Sequence, residues 1–163
     1  MLVVRVDSDL AVPAALDTVR VVVSRGTRAV ETLSFALGAG GGALPLDVGL
    51  LSASGGGDVD VAVTGSRSGS DVVSQQVATG FVRGKSLLVD VFLAASCVGV
   101  DCRDAKKTCV GGQGCVDEAR PPELLPAFVA GATPMDAGAS EGGPRRGPSD
   151  AADALVASDV SLD

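Results

Sequence analysis

Four cysteines are the residues of this chain whose type and spacing could do chemistry. Cys97, Cys102, Cys109 and Cys115 lie within nineteen residues, in the stretch AASCVGVDCRDAKKTCVGGQGCVDEARPPE. Four thiols this close together can ligate a metal, exchange electrons as a redox centre or form two disulfides. The spacing between them decides among these three chemistries.

The spacing, C-x4-C-x6-C-x5-C, favours disulfides over a metal or redox site. Structural zinc sites usually place two thiols in a C-x2-4-C knuckle and a second pair about a dozen or more residues away, and iron–sulfur spacings do not match either. The sequence has no C-x-x-C redox motif. An even number of cysteines in short loops rich in Gly and Asp instead predicts two disulfides, which form in an oxidising compartment.

Two pairs of aspartates, Asp7 with Asp9 and Asp58 with Asp60, are the candidates for a calcium site. Calcium prefers clustered carboxylate oxygens in loops. Asp58 and Asp60, however, stand two apart in an alternating segment, which also predicts the polar face of a strand. Paired acid–base chemistry needs two carboxyl groups in unlike surroundings, and the sequence indicates none. We therefore favour a solvated polar face over calcium, and calcium over catalysis.

Two further segments imitate catalytic motifs. The segment TGFVRGKSLL ends like a phosphate-binding loop in GKS, but only three residues separate Gly80 from Gly84, where the motif has four. The residues that follow alternate like a strand, so no helix N-terminus would face a phosphate. The segment GSRSG places Arg67 where a nucleophile elbow has its serine. Both segments are predicted to be turns.

The composition also argues against an enzyme. Histidine, tryptophan and tyrosine are absent, and aromatic residues make up only 2% of the chain. Without histidine the chain lacks the commonest general base and metal ligand, and without Trp and Tyr it lacks the rings that stack on sugars and bases. The net charge of −7 disfavours nucleic acid, which requires a basic surface. We therefore expect no enzymatic activity, no cofactor and no nucleic-acid partner.

The body of the chain is predicted to be all-β. Alternating segments are separated by turn-forming clusters such as GAGGGA and SRSGS. In the first segment Val4 and Val6 share one face of the predicted strand, while Arg5 and Asp7 share the other. The spacing is typical of an antiparallel β-sandwich of about seven strands, immunoglobulin-like or prealbumin-like, over residues 1–95, and a small closed barrel is the alternative. The seven segments are LVVRVD, DTVRVVVSR, TRAVETLSFAL, LPLDVGLL, DVDVAVTGS, DVVSQQVAT and SLLVDVFLA.

Two shorter regions follow the predicted sandwich. Residues 96–118 form a cysteine-rich, disulfide-stapled segment, and residues 119–163 form a tail rich in Pro, Gly, Ala and Asp. Within residues 133–163, six acidic residues stand against two arginines, a net charge of −4. Such a composition buries too little apolar surface to offset the entropy of ordering, so the tail is predicted to be disordered, apart from a marginal short helix over residues 149–159.

The beginning of the chain shows no targeting segment. The residues MLVVRVDSD lead directly into a strand, and their apolar run is too short for a signal peptide or a membrane span. Because the predicted disulfides require export, we expect that a leader, with or without a lipid anchor, has been removed.

Three long runs resemble predicted secreted lipoproteins of myxobacteria, a family with no assigned activity. The runs are LVVRVDSDLAVPAALDTVRVVV, TGFVRGKSLLVDVFLAASCVGVDC and TCVGGQGCVDEARPPELLP, and together they cover most of residues 2–126. The resemblance implies an exported, surface-associated protein with a β-sandwich and a four-cysteine knot, and it brings no catalytic residues. This sequence departs from the family in lacking the leader and the lipid-attachment cysteine.

The disulfide pairing rests on a second resemblance. Four cysteines allow three pairings. The run TCVGGQGCV resembles the first half of growth-factor-like modules. This resemblance favours the interleaved pairing, Cys97 with Cys109 and Cys102 with Cys115, over the nested one.

Two classes of function remain for such a protein. The first is a non-enzymatic secreted or cell-surface module with a structural or adhesion role in the cell envelope, whose partner is a protein or another envelope component. The alternative is a β-sandwich domain that binds calcium or a small ligand. The predicted location is extracellular, periplasmic or outer-membrane-associated, without a transmembrane segment.

We expect no saturable binding of ATP, because the GKS segment is predicted to be a turn between two strands. Isothermal titration calorimetry should give the same flat response for the unmodified chain and for Lys85→Ala. Saturable binding that disappears in the variant would show that the segment is a phosphate-binding loop after all.

Overall fold

The structure, a computed structural model, is built almost entirely from β-strands. It describes residues 1–52, 56–102 and 106–130, together with the backbone of residues 160–162. Each of the seven predicted segments contains a strand, so this part of the sequence prediction is confirmed. The strands are β1 (Leu2–Ser8), β2 (Thr18–Arg25), β3 (Arg28–Ala36), β4 (Leu46–Ser52), β5 (Gly57–Arg67), β6 (Ser70–Phe81) and β7 (Leu87–Leu93).

Three shorter strands follow β7 along the chain. They are β8 (Lys107–Val110), β9 (Gly114–Asp117) and β10 (Val160–Leu162). Two single 3₁₀ turns, Ala95–Cys97 and Pro122–Leu124, complete the regular structure of the described residues. No helix in these residues has the length and apolarity needed to cross a membrane.

Two four-stranded sheets enclose one hydrophobic core. Sheet I has the strand order β10-β4-β1-β7, and sheet II has the order β3-β2-β5-β6. Val19, Val21 and Val23 of β2 are fully buried, as are Val4 and Val6 of β1, and all five belong to the same core cluster. The alternation of the sequence produces this arrangement because successive strand residues point to opposite faces, and β-branched valine suits the pleated surface.

Sheet I is mixed, which differs from the purely antiparallel sandwich predicted from the sequence. β1 runs antiparallel to β4 but parallel to β7, with Leu2 opposite Leu87 and Ser8 opposite Leu93. β10 also runs parallel to β4. Parallel neighbours need a long connection, and here the strands between β1 and β7 provide it. Alternation shows which face of a strand is buried but not the direction in which a strand enters its sheet.

Residues 119–130, predicted as the start of a disordered tail, lie against the edges of both sheets. The Arg120 N–H donates to the Ala78 carbonyl of β6 (2.8 Å). The Leu88 N–H of β7 donates to the Pro126 carbonyl (2.9 Å). This segment is ordered because edge strands offer backbone donors and acceptors that composition does not reveal.

The rest of the predicted tail falls almost wholly outside the described residues. The predicted helix over residues 149–159 lies there too. The backbone of residues 160–162 pairs with Leu50–Ser52 of β4.

Gly65 of β5 marks the tightest packing between the two sheets. It faces the core, where an added Cβ would lie 2.5 Å from Leu16 Cδ1, 3.0 Å from Val73 Cγ1 and 3.2 Å from Leu93 Cδ1. Leu16 and Leu93 are themselves fully buried. No side chain other than hydrogen fits at this position without displacing several neighbours.

We expect Gly65→Ala to lower the free energy of unfolding by about 1–3 kcal/mol, because the new methyl group overpacks the core. Gly49→Ala is the matched control, since an added Cβ on this β4 residue meets no atom within 4 Å. The control should be neutral or should stabilise by up to about 1 kcal/mol. Urea unfolding followed by circular dichroism measures both, and equal midpoints for the two variants would contradict the packing described here.

Candidate functional site

Two disulfides organise the segment that follows β7. Cys97 is bonded to Cys109 and Cys102 to Cys115, each with a Cα–Cα distance of 5.8 Å. This distance is common for disulfides. The prediction of two disulfides is confirmed, and the pairing in the structure is the interleaved one. Disulfides of this kind indicate an oxidising compartment, extracellular or periplasmic.

The bonded segment forms a hairpin, β8–β9, that docks on the edge of sheet II. Gly112 and Gly114 adopt positive φ values of 75° and 74° at its turn. Glycine has no Cβ, so it accepts this backbone conformation without strain. The Thr108 hydroxyl of β8 accepts a hydrogen bond from the Gln76 N–H of β6 (2.7 Å). Thr108 is only 3% exposed, so this bond is shielded from water.

The docked segment covers the free edge of β6. Besides the Thr108 contact, the Gly99 N–H donates to the Val72 carbonyl (3.3 Å) and the Ala78 N–H donates to the Glu118 carbonyl (2.9 Å). An uncovered edge of this length would offer unpaired backbone groups to other chains and promote aggregation. The cysteine-rich segment therefore stabilises the sandwich by occupying an edge, in addition to closing its own loops.

A cleft remains between the hairpin and the outer face of sheet II, and we call it the hairpin cleft. It consists of two adjoining cavities of about 300 and 310 Å³. Ala62 and Gln76 line both cavities and therefore mark the junction between them. The side chains on the sheet surface below the cleft are small, as at Ala62, Thr64 and Ser74, and so leave the cleft open. Val100, Cys102 and Lys107 form the wall on the side of the disulfides.

The hairpin cleft carries charges of both signs. Asp71 lies at one end, where Arg20 Nη2 is 3.1 Å from its Oδ2 and the Ser66 hydroxyl donates to its Oδ1 (2.9 Å). Lys107 lines the same cavity. Asp60 and Glu118 line the second cavity. The charged groups that line the cleft are thus mostly carboxylates, with one ammonium group on its wall.

The predicted calcium candidates lie on different sheets. Asp9 Oδ1 accepts the Ala95 N–H (2.6 Å) and Asp7 Oδ1 accepts the Ser8 N–H (2.8 Å), both at the end of β1. Asp58 and Asp60 are exposed on β5, on the polar face that their alternation predicts. Across the described residues, no group of three or more His, Cys, Asp or Glu side chains is placed to hold a metal ion.

The two motif-like segments are turns, as predicted. Ser68 and Gly69 have φ values of 49° and 80° and connect β5 to β6 as a two-residue hairpin loop. Gly84 has a φ of 73° in the turn before β7. In that turn the Lys85 N–H donates to the Val82 carbonyl (3.1 Å), and the Lys85 carbonyl accepts the N-terminal ammonium (2.9 Å).

A bidentate ion pair joins β1 to β4 on the outer face of sheet I. Arg5 Nε and Nη2 donate to Asp47 Oδ1 (2.8 Å) and Oδ2 (2.7 Å). The hydrogen bonds that Arg5 donates to the Asp47 carboxylate raise the pKa of Arg5 above its ordinary value. Since the two residues are directly opposite in the strand register, the pair reinforces the ladder between the strands. Its role is structural.

The fold and the site together define an all-β protein with a disulfide-bonded hairpin docked on one sheet edge. No protein family, curated protein or solved structure matches this chain. The function therefore has to be inferred from the site itself.

We expect Thr108→Val to destabilise the docked hairpin, because it leaves the partly buried Gln76 N–H without an acceptor. An unsatisfied donor costs about 1–3 kcal/mol when it is fully buried, so we expect a loss of about 1 kcal/mol here. Thr108→Ser, which keeps the hydroxyl, is the control and should lose much less. Hydrogen exchange of the Gln76 amide, read by NMR, should accelerate in the valine variant only. Equal protection in both variants would mean that the bond does not hold the hairpin.

Proposed function

We propose that this protein is an exported, non-enzymatic interaction module of the cell envelope, with a structural or adhesion role. Its partner is a protein or another envelope component, and the hairpin cleft is the surface that binds it. The observation that carries this proposal is the cleft itself, which remains open between a covalently held hairpin and a rigid sheet.

Rigid walls are what make the hairpin cleft suitable for binding. Two disulfides and the buried Thr108–Gln76 hydrogen bond hold the hairpin, and the floor belongs to β5 and β6 in the middle of the long β-hairpin of sheet II. A preformed surface binds with less loss of conformational entropy than a flexible one. Functional side chains placed on strands are also held more accurately than those on loops.

The chemistry of the cleft supports binding more than catalysis. Its polar groups are carboxylates, hydroxyls, one amide and one ammonium, from residues such as Asp60, Ser74, Gln76 and Lys107. The chain as a whole contains no histidine to act as a general base. Carboxylates and hydroxyls on a sheet face are well suited to hydrogen-bonding a polar partner.

The export of the protein is also part of the proposal. The disulfides and the resemblance to secreted lipoproteins both support an extracellular or outer-membrane-associated location.

The class of sandwich is proposed as well, and it is prealbumin-like. An immunoglobulin constant domain keeps its first two strands in one sheet, whereas here β1 lies in sheet I and β2 in sheet II.

A small polar ligand is the second candidate for the hairpin cleft. The cavity bounded by Asp71 and Lys107, about 300 Å³, lies at the lower end of the range for ligand pockets, which begins at roughly 300 Å³. An ammonium opposite carboxylates suits a ligand that itself carries both charges. Calcium has no comparable support.

We expect Ala62→Arg to abolish partner binding, because a long side chain at the junction of the two cavities fills the cleft from its floor. Thr32→Arg places the same side chain on β3, on an exposed position away from the cleft, and is the matched control. Cross-linked capture from envelope extract, quantified by mass spectrometry, should fall by about tenfold or more for Ala62→Arg, a loss of roughly 1.4 kcal/mol in binding free energy. Thr32→Arg should capture as the unmodified chain does.

Capture that is equal for both variants would contradict the assignment of the cleft. Unfolding midpoints recorded for both variants must agree with each other, so that a loss of capture is not a loss of folding. Displacement of the captured partner by a small-molecule fraction of the same extract would favour the second candidate.

A further inference from the structure

The two disulfides differ in their access to solvent. Cys97 is 3% exposed and Cys109 5% exposed, and both belong to the hydrophobic core cluster. Cys115 is exposed on β9, and its partner Cys102 is half-buried on the wall of the hairpin cleft. One bridge is therefore part of the core, and the other runs from Cys102, which packs against the core, to the exposed Cys115.

This difference in exposure has a direct chemical consequence. A disulfide is cleaved when a thiolate attacks one of its sulfurs along the S–S axis, so the reaction requires access to a sulfur atom. The bridge between Cys97 and Cys109 offers no such access while the sandwich is folded. The other bridge contains an exposed residue, Cys115, and is the one that a thiolate can approach.

The two bridges also hold different parts of the site. Cys97 follows β7 directly, so its bond to Cys109 fixes β8 to the end of sheet I. The bond from Cys102 to Cys115 instead ties the wall segment, residues 98–102, to β9. Backbone hydrogen bonds from Val98 to Ala95 (3.2 Å), from Gly99 to Val72 (3.3 Å) and from Val100 to Cys97 (3.1 Å) also contact that segment.

We propose that the Cys102–Cys115 bridge is a redox-exchangeable bond that opens and closes the wall of the hairpin cleft, with a dithiol protein of the same compartment as its partner. A thiolate of the dithiol attacks Cys115 Sγ, and Cys102 leaves as a thiolate that takes up a proton. The second thiol of the partner then attacks the mixed disulfide and releases Cys115. Two electrons and two protons pass to the chain, and the partner leaves as its own disulfide.

The selective opening of this bridge stands without the proposed function, whereas its effect on binding rests on that function. After exchange the Cys97–Cys109 bond and the Thr108–Gln76 hydrogen bond still hold the hairpin against β6. The wall segment is then released together with its Gly99–Val72 contact, while Thr108 and Glu118 still cover the β6 edge at Gln76 and Ala78. Oxidation by a disulfide-donating partner restores the wall.

The test uses the full oxidised chain and dithiothreitol as the dithiol. Samples are quenched in acid at intervals and alkylated, and each cysteine is quantified by peptide mass spectrometry. Cys102 and Cys115 should become labelled at least about tenfold faster than Cys97 and Cys109 in the folded chain. In concentrated urea the ratio should fall close to one, because burial no longer protects either bridge. Equal rates in the folded chain, or earlier labelling of Cys97 and Cys109, would overturn the proposal.

Two double variants and one further readout separate exchange from general unfolding. The variant Cys97→Ser with Cys109→Ser keeps only the Cys102–Cys115 bridge, which should be reduced at the fast rate. The variant Cys102→Ser with Cys115→Ser keeps only the Cys97–Cys109 bridge, which should be reduced at the slow rate. In the selectively reduced chain, hydrogen exchange at Gly99 and Val100 should rise by about tenfold while the Gln76 amide stays protected. Loss of protection at Gln76 would show that the whole hairpin separates from β6, which contradicts the release of the wall segment alone. If selective reduction occurs but partner capture does not change, the gating of binding is wrong and the exchange itself stands.

Discussion

The buried bond between Cys97 and Cys109 is the constraint on which the docking of the hairpin depends. β8 and β9 contain four residues each, and a two-stranded hairpin of that size is at best marginally stable in water. The bond joins it to the 3₁₀ turn that follows β7, across twelve residues, and a loop of that size contributes on the order of 3 kcal/mol through the unfolded chain. With the hairpin held there, Thr108 reaches Gln76, the edge of β6 is covered and the cleft acquires its second wall.

The sandwich and the hairpin stabilise each other by different means. The sandwich supplies a dry core of valine and leucine, into which Cys97 and Cys109 are drawn because their sulfurs pack as apolar groups. The hairpin supplies backbone partners for an edge that the core alone would leave open. This division explains why the cysteine-rich segment has so little apolar surface of its own: its stability comes from covalent bonds and from hydrogen bonds to a neighbouring strand.

Much of the fold is predictable from the sequence because the residues of its strands alternate between buried and exposed. The same alternation does not give the direction of a strand. Alternation fixes which side of a strand is buried, so residues such as Val4, Val21 and Val63 could be placed in the core. It carries no information on strand direction, and the parallel pairing of β1 with β7 therefore did not follow from it. The hairpin cleft was also out of reach, because it depends on where β8 docks. The residue that positions the hairpin beside the cleft is Thr108, between Lys107 and Cys109. The sequence does not distinguish it from other strand residues, because its contact with Gln76 exists only in the folded chain.

The register of the hairpin places two cysteines opposite each other that are not bonded to each other. Cys109 and Cys115 lie directly opposite each other in the β8–β9 ladder, although they belong to different bridges. Opposed residues of an antiparallel pair share a face, with Cα atoms at a separation that a disulfide accepts. The hairpin by itself would thus also allow a bond between these two cysteines, with Cys97 left to pair with Cys102. The connectivity in the structure therefore depends on the sandwich, which places Cys97 beside β8, and the hairpin alone does not determine it.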